Sequence, residues 1–286
     1  MHDTTELFCF VYDFCSVFEL WWHKQLVCCG VIKRNRPCKI HLCEIVTLMI
    51  MYHESGMKCF KSFYFHVLKH HSRDFNLVCY DRFVALVKRA LPVIVMLLYA
   101  LMGEHTFIKF VDSTPYRVCK YSRRFQHRVF KGLAASSKNS LGWFYGLKLH
   151  FVFNAYGEII RLAITPANVD DRVELKQMAK GLFGKLFGDR SYLGAALFRE
   201  LFEDGLQLIT RLRRNMKNIL MSTHDKLCLG KRMVVESIFS SIKSCGTFEH
   251  SRHRNVANAF CHIFTALISY QLRELKPTLL AQHTLT

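Results

Sequence analysis

The chain has 286 residues, 51% of them hydrophobic, and sets 40 Lys and Arg against 22 Asp and Glu for a formal charge of +18. This is a globular composition, long enough for one large or two modest domains, and it excludes a fibre, a collagen or a small disulfide scaffold. The charge predicts attraction to a polyanion, either nucleic acid or an anionic membrane surface.

The N-terminal segment carries Asp3, Glu6, Asp13 and Glu19 where an export signal would place basic residues, so none is expected. Twelve cysteines at irregular spacing, without export, point to reduced thiols in a cytoplasm. Cys28, Cys29, Cys38 and Cys43 lack zinc-ligand spacing, and no structural metal is expected there. Apolar positions then recur at three and four in Ile45, Leu48, Met49 and Tyr52, in Phe60, Phe63, Tyr64 and Val67, and in Phe83, Leu86, Val87 and Ala90. That period predicts helices. The longest uncharged apolar run, Ala90 to Gly103, is shorter than the roughly 20 residues a bilayer needs, and reads as a core helix over Pro92–Met102. No membrane partner is expected.

After Gly103 the period changes. Thr106 to Asp112 reads as a strand ending in a carboxylate, and Gly146 to Asn154 alternates between faces. Ala155-Tyr156-Gly157 turns the chain into a further strand, Glu158 to Thr165. A helix from Asp171 to Leu182, a strand over Lys185 to Asp189, a helix over Leu193 to Glu203 and a strand over Gln207 to Leu212 follow. The order β-β-β-α-β-α-β predicts an α/β fold, a ribonuclease H-like mixed five-stranded sheet with flanking helices. Two regions are expected: 1–104, helical, and 105–286, with the sheet and a helical tail.

In that strand order Asp112 and Asp189 end adjacent parallel strands, where sites of α/β sheets form. Either residue alone would read as a turn former or helix cap. On a helix from Arg232 to Lys243, Arg232, Glu236, Ser240 and Lys243 share a stripe opposite Val235, Ile238, Phe239 and Ile242. Three converging carboxylates would suit Mg2+ or Mn2+, two of which can assist phosphodiester cleavage without a covalent intermediate. Asp170-Asp171 reads as the cap of the following helix. No phosphate loop, nucleophile elbow or HExxH helix is present.

Residues 101–286 hold a net +14 of the charge. Arg117 to Lys138, with Arg117, Arg123, Arg124, Arg128 and Lys131, contains no acid, and Arg211, Arg213, Arg214 and Lys217 form a second basic run. Around an acidic centre these runs suit a groove that tracks phosphates, with binding that weakens steeply as salt rises.

Several motifs carry a resemblance. DSTP from Asp112, FKGLAA from Phe130, GWFYGLKLH from Gly142, TPANVDD from Thr165, LFGD from Leu186 and the stretch Arg232 to Lys243 are similar to the DDE transposases of bacterial insertion sequences, closest to the group designated nine-eight-two. The likeness implies a ribonuclease H-like catalytic domain with Asp112, Asp189 and Glu236 as catalytic, metal-holding triad. It also implies Arg232 and Lys243 on DNA phosphates, two Mg2+ (or Mn2+) ions, and DNA partners in the element's terminal repeats and the target. A homo-oligomer at two ends, a nucleoid-associated cytoplasmic location, and an N-terminal region for end binding or dimer contacts complete the expectation. Leu229 stands where relatives carry Tyr, and Ser191 where many carry Gly, which would strain a turn needing positive φ. An inactive copy that only binds DNA and a purely hydrolytic ribonuclease H-like nuclease are the alternatives.

Overall fold

The computed structural model describes residues 2–30, 38–212, 216, 220–245, 248–249 and 253–278. The chain divides into two compact units, one of residues 1–101 and 242–272, the other of residues 102–241 and 273–286.

The first unit is helical. It contains α1 (Thr4–Cys28), α2 (Leu42–Glu54), α3 (Phe60–His70), α4 (Tyr80–Val87), α5 (Leu91–Ala100) and α10 (Val256–Gln271). α2 is apolar around most of its circumference and is accordingly buried, from Cys43 to Ile50 and again at Tyr52 and His53. Buried Glu44 in its first turn accepts from the His41 N–H at 2.6 Å and the Asn76 N–H at 2.6 Å, which fixes both the start of α2 and the loop ahead of α4. α10 packs on α2 and α5, and Gln271 donates to the Leu101 carbonyl at 2.7 Å. α4 and α5 continue each other through a 3-10 turn, Lys88–Ala90, so Tyr80–Ala100 is one 21-residue helical stretch, by length and composition enough to cross a membrane and 44% buried over its most apolar part. Counting only the uncharged run from Ala90 misses this length, because the helix carries Lys88 and Arg89 through its middle. Its inward side, Phe83, Leu86, Val87, Ala90, Ile94 and Leu97, is core.

The second unit is the mixed sheet with helices on both faces that the strand order predicts. Its strands are β1 (Ile108–Cys119), β2 (Ala135–Asn139), β3 (Gly142–Asn154), β4 (Ile159–Pro166), β5 (Gly184–Gly188) and β6 (Leu206–Thr210). β1 runs antiparallel to β3 and parallel to β5, β5 is parallel to β6, and β4 pairs with β3, so the ribonuclease H-like order β4-β3-β1-β5-β6 is present. A sixth strand, β2, is added to the five expected, pairing with residues 142–146 of β3 where β4 takes 147–153. α6 (Asp171–Met178) and α7 (Ala195–Glu203) cover one face, burying Leu175, Met178, Leu197 and Leu201 with Val111, Val152 and Leu186. On the other face Phe239 of α9 (Val234–Lys243) meets the Phe151 and Phe153 rings at 5.6 and 5.8 Å. α8 (Thr223–Lys231), capped by Ser222, was not expected from the sequence.

Candidate active site

β1 does not stop at Asp112. Its parallel pairing with β5 ends at Phe110 opposite Phe187, but its antiparallel pairing with β3 continues to Cys119. Asp112 therefore lies within the strand, opposite Phe151, two residues past the last rung that β1 shares with β5. Pro115, which has no N–H to donate, is tolerated in this singly paired stretch. Asp189 follows β5 directly and caps a 3-10 turn, Arg190–Tyr192, by accepting from the Arg190 N–H at 2.6 Å. Phe110 and Phe187 are partners, so Asp112 and Asp189 each stand two residues past the same rung of the parallel ladder. Ser191 sits inside this right-handed turn, a conformation open to any residue, so the expected strain is absent.

Arg232 joins the two acids. Its Nη1 donates to Asp112 Oδ2 at 2.7 Å and its Nη2 lies 3.7 Å from Asp189 Oδ1. Burial pushes the Asp112 carboxyl up to about 6; the Arg232 guanidinium and the Ser113 N–H, 2.8 Å from Oδ1, pull against that rise, and Asp189 adds to it. The helix read from Arg232 onward begins at Val234; Arg232 itself occupies the turn between α8 and α9, which frees its side chain to reach the sheet. Glu236 is exposed in the first turn of α9, four residues beyond Arg232. Among the described residues no group of three His, Cys, Asp or Glu side chains is gathered closely enough to hold a metal. The structure thus brings Asp112 and Asp189 to one cationic group and leaves Glu236 outside that cluster. As hard oxygen donors already facing a shared cation, the two aspartates fit a divalent ion such as Mg2+ or Mn2+.

Sequence reasoning missed the support behind Asp112. On the opposite face of the sheet, Asp171 Oδ1 accepts from the Ser113 hydroxyl at 3.2 Å and lies 3.0 Å from Lys148 Nζ and 3.5 Å from His150 Nδ1. His150 is buried, its other nitrogen 2.8 Å from the Thr165 hydroxyl, and burial lowers its pKa to about 4 despite Asp171, so it is neutral near pH 7. Ser113 thereby connects this network to the Asp112 carboxylate through its own N–H. The alternation of β3, which puts Lys148 and His150 on one side, was the available signal. Asp170, as expected, caps α6 by accepting from the Arg172 N–H at 2.9 Å. Leu229 is buried in α8.

The basic residues are dispersed. Arg117 lies in β1 opposite Gly146; Arg123, Arg128 and Lys131 are exposed in the segment between β1 and β2. Arg124 stacks over the Tyr121 and Phe125 rings at 4.2 and 4.1 Å, and Tyr121 stacks on half-exposed Trp143 at 5.9 Å. This leaves cations interleaved with exposed aromatic rings, a combination suited to phosphates and bases. Arg211 is exposed at the end of β6; Arg213 lies outside the described residues. Lys243, at the end of α9, pairs with Glu249 at 2.9 Å.

Removing Arg232 takes away the largest influence holding the Asp112 carboxyl down. In Arg232→Met, a carboxyl NMR titration is expected to find Asp112 above about 6; an unmoved or lowered value would contradict the pairing described above.

The family model described as Transposase DDE domain matches residues 102–256, just over half of the chain, and begins where the second compact unit begins. Searches of curated proteins and of solved structures give no match. With a ribonuclease H-like sheet that sets two aspartates level on adjacent parallel strands inside the matched segment, the chain belongs to the DDE-domain transposases.

Proposed function

We propose that the chain is the transposase of an insertion sequence of the group designated nine-eight-two, cleaving DNA at the element's ends and joining the freed 3′-hydroxyls to target DNA. The observation that carries this reading is the common level of Asp112 and Asp189 beside one cationic group. Asp112, Asp189 and Glu236 would hold divalent ions, Mg2+ or Mn2+, in the DNA-bound enzyme. When bound there, such ions would supply activation of the attacking oxygen and stabilisation of the leaving one.

The chain's own residues do the rest. Arg232, which lies beside the two acids, would receive a phosphate as it exchanges carboxylate partners for DNA. The Ser113 N–H holds Asp112 Oδ1 in place, and Asp171, Lys148 and His150 brace Ser113 from the far face. Arg117, Arg123, Arg124, Arg128, Lys131, Arg211, Arg213 and Lys243 would track the backbone, with Tyr121 and Trp143 supplying stacking surfaces. The helical region of residues 1–104 would bind ends or a second copy. Both ends must be served at once, so the working form is a homo-oligomer, in a bacterial cytoplasm at the nucleoid.

A labelled element-end duplex, a supercoiled target plasmid and Mg2+ test the reading. Transfer of the labelled strand onto the plasmid is expected. Nicking without joining would favour a hydrolytic nuclease, and binding with neither would favour a DNA-binding protein without chemistry; both outcomes overturn the transposase assignment.

A further inference from the structure

The longest helix of the helical unit has two different sides. Along α1, Leu7, Val11 and Cys15 are buried against the rest of the unit. On the other side, Phe10, Asp13, Val17, Leu20, Lys24 and Val27 follow one another at alternating intervals of three and four, the spacing of a coiled-coil seam. This stripe is open: Phe10 is 41% exposed, Val17 74%, Leu20 70% and Val27 46%, with Trp21 beside it at 53%. Asp13 and Lys24 are exposed too, and neither side chain forms an ion pair among the described residues. Four apolar side chains in one line over about 26 Å of helix form a contiguous apolar strip, the kind of surface that marks an interaction site.

The order of the stripe is self-complementary. Read in reverse it has the same character: apolar, charged, apolar, apolar, charged, apolar. Laid antiparallel on a second copy, with a twofold axis between Val17 and Leu20, Phe10 meets the partner's Val27, Val17 meets the partner's Leu20, and Asp13 meets the partner's Lys24. Every contact is then apolar on apolar or acid on base, and each occurs twice, as an isologous interface requires. A parallel pairing would set Asp13 against the partner's Asp13 and Lys24 against the partner's Lys24, so the charges select one direction. We propose that α1 is the homodimer helix of this protein, pairing antiparallel with α1 of a second copy through Phe10, Asp13, Val17, Leu20, Lys24 and Val27. The choice of a second copy rests in part on the proposed joining of two ends; the pairing itself needs neither DNA nor metal. One helix pair lies at the small end of stable interfaces, about 1,200 Å² or less, so the free protein is expected to dimerise at micromolar concentrations.

Sedimentation equilibrium of the full chain without DNA or metal tests this, so a chain that fails to cleave DNA can still dimerise and the two readings fail separately. Wild type is expected to show a monomer–dimer equilibrium. Val17→Glu should leave a monomer, and Asp13→Lys, which sets two lysines together at both ends of the pair, should weaken the dimer about tenfold. Asp13→Lys combined with Lys24→Asp should restore it to within about twofold. The three positions are exposed, and far-ultraviolet circular dichroism confirms that each variant stays folded. A monomer at 200 μM, a dimer indifferent to Val17→Glu, or a double reversal that fails to rescue would each overturn the proposal.

Discussion

Asp112→Asn is expected to lower the rate of end cleavage by about 10³-fold or more, roughly 4 kcal/mol of transition-state stabilisation, and at the same time to make the folded protein more stable at pH 8. Both effects come from one carboxylate in a poorly hydrated place. Burial raises its pKa from the ordinary 3.8 to about 6, so the fold favours the neutral form. The stability contributed by Asp112 is therefore fully present below 3.8 and is lost as the pH rises through about 6. Above that the ionised carboxylate is held against a penalty of up to about 3 kcal/mol, because each unit of pKa corresponds to about 1.4 kcal/mol. Asn keeps the size and can still accept from Arg232, without the charge. Thermal melts should therefore show the variant stabilised by about 1–3 kcal/mol at pH 8 and level with wild type at pH 4. A variant destabilised at pH 8 would mean that the Arg232 pairing outweighs burial, contrary to the shift described above.

Gly146→Ala should have the largest effect on folding. Gly146 sits in β3 with Arg117 of β1 on one side and Ala135 of β2 on the other, and its carbonyl accepts from the Ala167 N–H at 3.2 Å. A methyl group here would run into the carbonyl oxygen of Tyr116, whose side chain is fully buried, so the obstacle is backbone and cannot rotate away. Separating β1 from β3 at this point loosens the strand that carries Asp112, and a loss of about 3 kcal/mol or more is expected by chemical denaturation. Gly230→Ala provides the contrast. That glycine is helical, with open space where its Cβ would stand, so the same change should be neutral or stabilising by up to about 1 kcal/mol. Equal losses at the two positions would contradict the close approach at Tyr116.

The central strands of the second unit were legible because their core is two-sided. β3 alternates, β5 and β6 are short apolar runs beside turn residues, and α7 carries a strong helical period, so the order of elements along the chain could be read from local pattern, and the ribonuclease H-like arrangement of that order sets the two aspartates on adjacent parallel strands. What local pattern does not carry is where pairing stops. β1 runs on past Asp112 only because β3 continues beside it after β5 has ended, and β2 forms only because the start of β3 extends beyond β4. α1 escaped notice for a related reason: with one apolar side packed and another apolar side exposed, its period is blurred. In the site, Arg232 looked like one member of a helical stripe facing phosphates. Its place in the turn between α8 and α9 is what lets it reach both aspartates, and that break cannot be seen from spacing along the chain; of the Asp171 network, the alternation of β3 shows only that Lys148 and His150 share a side.

The claim that Asp112 and Asp189 form the working pair of a metal-dependent DNA transposase is tested most directly by cleavage of a labelled element-end duplex, comparing wild type with Asp189→Asn. Asp189 is half exposed and sits in a turn, so its amide variant should fold as wild type does. A Mg2+-dependent nick that leaves a 3′-hydroxyl is expected, abolished by chelation and reduced about 10³-fold or more in Asp189→Asn. A nick of undiminished rate in Asp189→Asn, or one that persists in chelator, would contradict that claim.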